Sequence, residues 1–115
     1  MWSALRGEGE LEMSGETLSV RSLAWKDTTL INICDNDLIG KTLSEGRLRM
    51  HISQAYFGGR LVDSSEALRL MRDSSIINLA GEKAVEIAVS NNLGTREAVK
   101  TIQGVPFLMI YKFGL

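Results

Sequence analysis

The sequence predicts an α+β fold, a single compact domain with a largely antiparallel or mixed sheet and two to three helices packed on one face. Three observations lead to this prediction. β-rich segments occupy the first half and the C-terminal end of the chain, amphipathic helical segments lie between them, and 115 residues are enough for one domain with a modest core. We find no internal repeat or linker that would divide the chain.

The first sixteen residues are expected to form a flexible acidic leader, and residues 17–115 the α+β domain. Residues 1–16 contain four glutamates and one arginine, and they show neither helical nor strand periodicity. Docking is an alternative, since Trp2 has enough apolar area to anchor the leader on the domain or on another copy.

Two strands are predicted at the start of the domain. Residues 17–25 alternate weakly between apolar and polar side chains, and residues 28–34 form a β-rich run. Lys26 and Asp27 between these runs are typical of a hairpin turn. The sequence Asp-Asn-Asp at 35–37 predicts a further turn.

The most informative segment is residues 46–52, because its side chains alternate strictly. A strand there directs Arg47, Arg49 and His51 to one face, which we expect to be an exposed basic stripe. The other face, expected to be core, carries Leu48, Met50 and Ile52. Gly58 and Gly59 predict the next turn, before a strand at 60–62.

Helices are predicted in the second half of the chain. Asp63 and Glu66 form a pattern close to a capping box, so we expect a helix from Ser64 to Arg72. Residues 82–90 carry an apolar stripe at helical spacing and predict another helix. Residues 76–80 fit a helix or a buried strand by periodicity alone, and we favour the helix.

The chain is expected to end in two strands, at 99–102 and 107–113. Pro106 cannot donate a backbone hydrogen bond to a sheet, so we assign it to the connection between these strands.

Composition limits the cellular setting. One cysteine, Cys34, permits neither an internal disulfide nor a multi-cysteine metal site, which favours a reducing, cytoplasmic location. No apolar run approaches the ~20 residues of a membrane helix, and the N-terminus lacks the pattern of a secretory signal, so no membrane association is expected.

No segment carries a catalytic signature. Gly-Lys-Thr at 40–42 resembles the end of a phosphate-binding loop, but the glycine needed five positions earlier is replaced by Asp35. Asp35, Asp37 and Glu45 could supply oxygen ligands to Mg²⁺ or Ca²⁺, although a turn is the more common role of such a cluster. We assign no catalytic residue, metal site or cofactor.

Nucleic-acid binding is the function that the basic segment favours. Residues 41–60 hold four cations and one carboxylate, and two aromatic residues adjoin them. Aromatic rings beside cations hold unstacked nucleotides by stacking and phosphate contact. The predicted nucleic-acid-binding residues are Lys41, Arg47, Arg49, His51, Tyr56 and Arg60.

Six short motifs follow one another along the chain: Cys-Asp-Asn-Asp-Leu-Ile-Gly-Lys-Thr at 34–42, Glu-Gly at 45–46, Tyr-Phe-Gly-Gly at 56–59, Leu-Val-Asp at 61–63, Asn-Leu-Ala-Gly-Glu at 78–82 and Gly-Val-Pro at 104–106. Taken together, they resemble a small archaeal family, domain of unknown function family 424. The resemblance covers about residues 17–113. It implies a compact cytoplasmic archaeal protein without an established activity, in a family that is associated with translation genes.

Together these observations predict a non-catalytic protein that binds RNA or a ribonucleoprotein partner in a translation-linked role. We expect no DNA sequence recognition, and a homo-oligomer is possible. Two alternatives stay open: a small-molecule or metal-dependent enzyme built on Asp35, Asp37, Lys41 and His51, with Glu45 nearby, and a protein–protein interaction scaffold.

Overall fold

The computed structural model describes residues 15–112, and within this range eight strands form one six-stranded sheet and one separate hairpin. The strands are β1 (Leu18–Trp25), β2 (Thr28–Asp35), β3 (Thr42–Glu45), β4 (Leu48–His51), β5 (Arg60–Val62), β6 (Ile76–Ala80), β7 (Lys100–Ile102) and β8 (Val105–Tyr111). The α-helices are α1 (Gln54–Phe57), α2 (Ser64–Asp73) and α3 (Glu82–Ser90). Residues 1–14, which include most of the predicted leader and Trp2, lie outside the described residues.

The large sheet is mixed, with the strand order β5-β1-β2-β6-β8-β7. β1 and β2 form the predicted antiparallel hairpin, with Lys26 in the left-handed region at its turn (φ 57°). β2 and β6 are parallel, and the other neighbouring strands are antiparallel. The predicted α+β class with a mixed sheet is confirmed.

The two longer helices, α2 and α3, pack on one face of this sheet, which we call the helical face. Alternate residues of the strands point to this face and are almost completely buried, including Leu18, Ile31, Ile33, Ile77 and Leu79. The helices contribute small side chains and Met71 to the same core. The predicted helices at 64–72 and 82–90 are therefore present and bury their apolar stripes as expected.

The opposite face of the sheet, which we call the second face, is covered only in part. α1 and the β3–β4 hairpin pack against its one end around a smaller apolar cluster that includes Cys34, Ile52 and Phe57. Further along this face several large side chains are exposed, among them Leu23, Trp25, Met109 and Tyr111.

Residues 76–80 form the central strand β6, so the predicted helix there is wrong. β6 pairs with β2 on one side and with β8 on the other. Ile77 and Leu79 point to the helical face and Asn78 and Ala80 to the second face, so both faces of the strand are largely buried. A segment buried on both faces lacks the polar alternation that identifies a strand.

The predicted position of Pro106 is also wrong. Pro106 is the second residue of β8 and lies opposite Thr101 in β7. Gln103 and Gly104 make the connection instead, with φ angles of 52° and 79°, as a two-residue hairpin turn requires. Sequence analysis also missed β3 and the short helix α1.

Candidate functional site

The predicted basic stripe lies on the β3–β4 hairpin. Arg49 and His51 are exposed in β4, opposite Ser44 and Thr42 of β3. His51 Nδ1 is 2.9 Å from the Thr42 hydroxyl oxygen, which fixes the ring direction. Arg47 is exposed in the turn that precedes β4.

The opposite side of this hairpin is buried only at one end. Ile52 is fully buried and Met50 packs against the smaller cluster, but Leu48 is 54% exposed. The expectation that Leu48 belongs to the core is therefore wrong. The hairpin reaches the cluster through its Met50 and Ile52 end, whereas Leu48 sits beside the turn.

The remaining predicted site residues are divided between the two faces of the sheet. Lys41 is exposed one residue before β3, close to the stripe. Arg60 pairs with Val20, which points to the helical face, and its Nη2 lies 3.4 Å from Glu66 Oε2 of α2. Arg60 thus does not flank the stripe, because the pairing of β5 with β1 carries it to the other face.

Tyr56 is placed beside the stripe by α1. Ser53 begins this helix, and its hydroxyl accepts a hydrogen bond from the Tyr56 backbone N–H at 3.1 Å. The Tyr56 side chain is 51% exposed, whereas the neighbouring Phe57 is buried. The two rings are in an edge-to-face arrangement, with 5.3 Å between their centroids.

The sheet holds α1 through its last carbonyl groups. Ser19 Oγ donates to the Phe57 carbonyl and Asn32 Nδ2 to the Tyr56 carbonyl, both at 3.0 Å. The chain then passes close to β1, where a Cβ at Gly59 would overlap the Val20 carbonyl oxygen. Only glycine permits this approach, which explains the Gly-Gly sequence better than a need for a flexible turn.

A groove of about 600 Å³ lies on the second face beside α1. Asn78, Phe107 and Met109 form its floor, and His51 and Tyr56 lie on the side of the hairpin and α1. Lys100, which pairs with Phe107 from β7, lies on the other side. An exposed aromatic ring and two basic side chains, His51 and Lys100, thus meet around a mainly apolar groove.

A polar row crosses the floor of the second face. Arg21, Asn32, Asn78 and Met109 are aligned across β1, β2, β6 and β8. Asn78 Nδ2 donates to Asn32 Oδ1 at 2.8 Å. Arg21 Nε and Asn78 Oδ1 are buried, and neither has a hydrogen-bond partner among residues 15–112.

Sequence analysis did not identify this row or Lys100. The available signal was an asparagine in the middle of each of two apolar strands, Asn32 and Asn78, where a buried amide requires a partner. Their alignment depends on the strand register, which the sequence does not display.

Asp35 and Glu45, two of the acidic residues of the alternative enzyme site, have separate structural roles. Asp35 Oδ2 and Oδ1 accept hydrogen bonds from the backbone N–H groups of Lys83 and Ala84, at 3.0 and 2.9 Å, at the start of α3. Burial raises the pKa of the Asp35 carboxyl above its usual value, although these two N–H groups act in the opposite direction. Asp35 is thus the cap of α3.

Glu45 likewise has a structural role. Its Oε1 accepts from the Gln103 backbone N–H at 2.7 Å, while Gln103 Oε1 accepts from the Ser44 N–H at 2.8 Å. Of the residues assigned to the alternative enzyme site, only His51 lines the groove. No group of three potential metal ligands occurs in the part of the chain that the structure describes.

Two further motifs have structural explanations. Gly-Lys-Thr at 40–42 leads into strand β3 rather than a helix, so it is not the end of a phosphate-binding loop. Cys34 is fully buried, and burial, with a smaller effect of Asp35 and Asp37, raises its pKa to about 12. The Cys34 side chain is therefore a thiol at neutral pH.

Comparison with known families matches residues 25–113 to the family described as "Protein of unknown function (DUF424)". The chain belongs to this family. The resemblance inferred from the sequence motifs is thereby confirmed for this DUF424 protein. A search of curated proteins gives no match.

A solved structure shares the fold of this DUF424 protein. It is an uncharacterized conserved protein from Methanopyrus kandleri, with a TM-score of 0.73 and 23% sequence identity. The match covers 85% of this chain and 95% of the other. In the described range of the DUF424 chain, no helix has the length and apolar character needed to cross a bilayer.

Proposed function

We propose that this protein binds single-stranded RNA on the second face of its sheet, with the β3–β4 hairpin contacting phosphates. One observation carries the proposal: the half-exposed ring of Tyr56 lies on a mainly apolar groove that His51 borders on one side and Lys100 on the other. Unstacked bases bind to such exposed rings, and nearby cations hold the phosphates between them.

The charges of the hairpin support phosphate contact. Lys41, Arg47 and Arg49 are exposed, and none of them forms an ion pair with a carboxylate among the described residues. By contrast, Arg60, Arg69 and Arg96 of the helical side are paired with glutamates. The hairpin side chains are therefore not engaged by a neighbouring carboxylate and are available to a polyanionic partner.

The open part of the second face extends the surface beyond the groove. Trp25 is 70% exposed there, and Lys26 Nζ lies 4.7 Å from the centre of its ring. Exposed aromatic residues on an open sheet are a common means of stacking RNA bases. Because the chain resembles a family associated with translation genes, we propose that the RNA belongs to a ribonucleoprotein of the translation machinery.

The test compares two double variants by fluorescence anisotropy with a labelled single-stranded RNA. Arg47→Ala with Arg49→Ala should weaken binding and reduce the slope of log affinity against log salt by roughly one to two units. Arg69→Ala with Arg72→Ala removes the same charge from α2 on the helical face and should leave binding unchanged.

Circular dichroism should show that both double variants are folded. The proposal is wrong if wild-type affinity does not respond to salt, or if the two double variants bind RNA equally well.

The exposed apolar side chains favour a second candidate, a protein–protein interface on the same face. Leu23, Met109 and Tyr111 are all more than half exposed, and such surfaces often bind proteins. A second copy of the chain is one such partner. Light scattering should then show a dimer that Met109→Glu converts to a monomer, whereas a wild-type monomer excludes self-association.

A further inference from the structure

We infer that the groove on the second face holds one unpaired base, whose N–H edge donates a hydrogen bond to Asn78 Oδ1. The inference rests on the proposed RNA binding and adds to it the group that is recognised and the residue that recognises it. The same chemistry fits a free nucleotide, so the test includes both sources.

The orientation of the Asn78 amide follows from its neighbours. The Tyr56 backbone carbonyl can only accept a hydrogen bond, so Asn32 must present its Nδ2 to it. Asn32 Oδ1 is then left to accept, and Asn78 must present its own Nδ2 to that oxygen. Consequently Oδ1, an acceptor, is the atom of Asn78 that is left without a partner.

This unpartnered oxygen is unusual for a folded protein. It is buried, and no donor among residues 15–112 reaches it, although nearly all buried polar atoms form hydrogen bonds. A ligand N–H therefore recovers an interaction that the protein alone does not make. Asn78 lines the groove, so a ligand bound there lies beside this amide.

The apolar lining of the groove suits the faces of a base. Tyr56 presents an exposed ring, and Phe107 and Met109 present apolar surface beside Asn78. Aromatic and thioether groups pack well on flat rings. The volume of about 600 Å³ lies within the usual range of small-molecule sites, about 300–1,000 Å³.

Basic side chains are present where the sugar and phosphate would leave the groove. Lys100 stands on one side, and His51, held by Thr42, on the other. A double-stranded partner would not fit, because its base edges are already paired. The site thus selects unpaired nucleotides through Asn78 and retains them through charge.

The test is a cycle of changes in both the protein and the ligand. Short oligouridine is compared with oligo-3-methyluridine, and oligocytidine with its N4,N4-dimethyl form, because methylation removes the N–H donor. Wild-type protein should bind the better unmodified oligomer about fivefold to tenfold more tightly than its methylated form, as expected for one hydrogen bond. Asn78→Ala should abolish this difference.

A matched variant separates the hydrogen bond from packing. Met109→Ala removes apolar surface beside Asn78. It should weaken the binding of both oligomers equally and keep the difference between their affinities. The inference is overturned if methylation has no effect on wild-type binding, or if Asn78→Ala retains the discrimination.

The outcome for the groove is separable from that for RNA binding. Salt-dependent RNA binding without discrimination supports the proposed function and rejects the base site. Uridine or cytidine monophosphate bound with discrimination, in the absence of oligomer binding, supports the base site and rejects the RNA function. Absence of binding to both rejects both.

Discussion

Asp35 and Gly81 are in close contact at the start of α3, where a Cβ on Gly81 would lie 2.7 Å from both carboxylate oxygens of Asp35. Gly81 has a φ angle of 109°, which side chains rarely adopt. This arrangement lets a carboxylate at the end of β2 cap a helix that begins 47 residues later, at Glu82.

Removing the Asp35 carboxylate should therefore destabilise the protein. Asp35→Ala leaves the N–H groups of Lys83 and Ala84 without acceptors, and we expect a loss of about 1–2 kcal/mol in urea denaturation. Asp37→Ala, at an exposed position of the same turn, is the control and should have a much smaller effect.

The same site allows a double-mutant cycle. Gly81→Ala should cost at least about 1 kcal/mol, from backbone strain and from overlap with Asp35. In the Asp35→Ala background the overlap is absent, so the cost of Gly81→Ala should fall. Strictly additive losses would show that the two residues are not in contact.

Stability should depend on the ionisation of Glu66. Arg69 Nε donates to Glu66 Oε1 at 2.9 Å, and Arg60 lies on its other side. The hydrogen bond from Arg69 is the main cause that holds the pKa of Glu66 below its ordinary value of 4.5. The ionised form is thus favoured in the folded state, and its contribution is present above pH 4.5 and lost as the pH falls through the lowered pKa.

Glu66→Gln should consequently reduce the free energy of unfolding at pH 7, and this difference should shrink on acidification below the ordinary glutamate pKa. Urea denaturation across this pH range measures the effect. Glu97→Gln, an exposed change in the 3₁₀ turn at 96–98, is the control. A difference for Glu66→Gln that is constant with pH would contradict this assignment.

Cys34 should be protected from thiol reagents in the folded protein. It is fully buried and its pKa is about 12, so a reactive thiolate is absent at pH 8. Ellman's reagent should label it only as fast as the protein opens, and the rate should rise with urea. In a Cys34→Ala background, Ser44→Cys on the exposed hairpin should label rapidly. Equal rates for the two proteins would be inconsistent with the buried position.

The elements that sequence analysis predicted well depend on local signals. The β1–β2 hairpin follows from two β-rich runs around a short turn, and α2 from the Asp63 cap, whose carboxylate accepts from the Glu66 N–H at 2.9 Å. The prediction for β6 was wrong because Ile76, Ile77 and Leu79 suit a helix as well as a strand. Its pairing with both β2 and β8 joins distant segments, and this information is not local.

The same distinction applies to the candidate site. Arg49 and His51 lie on one side of β4 as predicted, because alternation within one strand is a local signal. Arg60 was assigned to the wrong neighbourhood, because its face depends on pairing with β1. Asn78 was missed, since its alignment with Asn32 depends on the register of a parallel strand pair.

The attachment of α1 to the sheet makes the groove dependent on the strand register. A helix of four residues has no independent stability in water, so α1 depends on the sheet, through the bonds of Ser19 and Asn32 to its carbonyl groups and the burial of Phe57. A slip of one residue in either strand would turn its anchoring side chain to the helical face and release Tyr56. The groove is therefore present only when β1 and β2 adopt this register, and a change of register in either strand removes it.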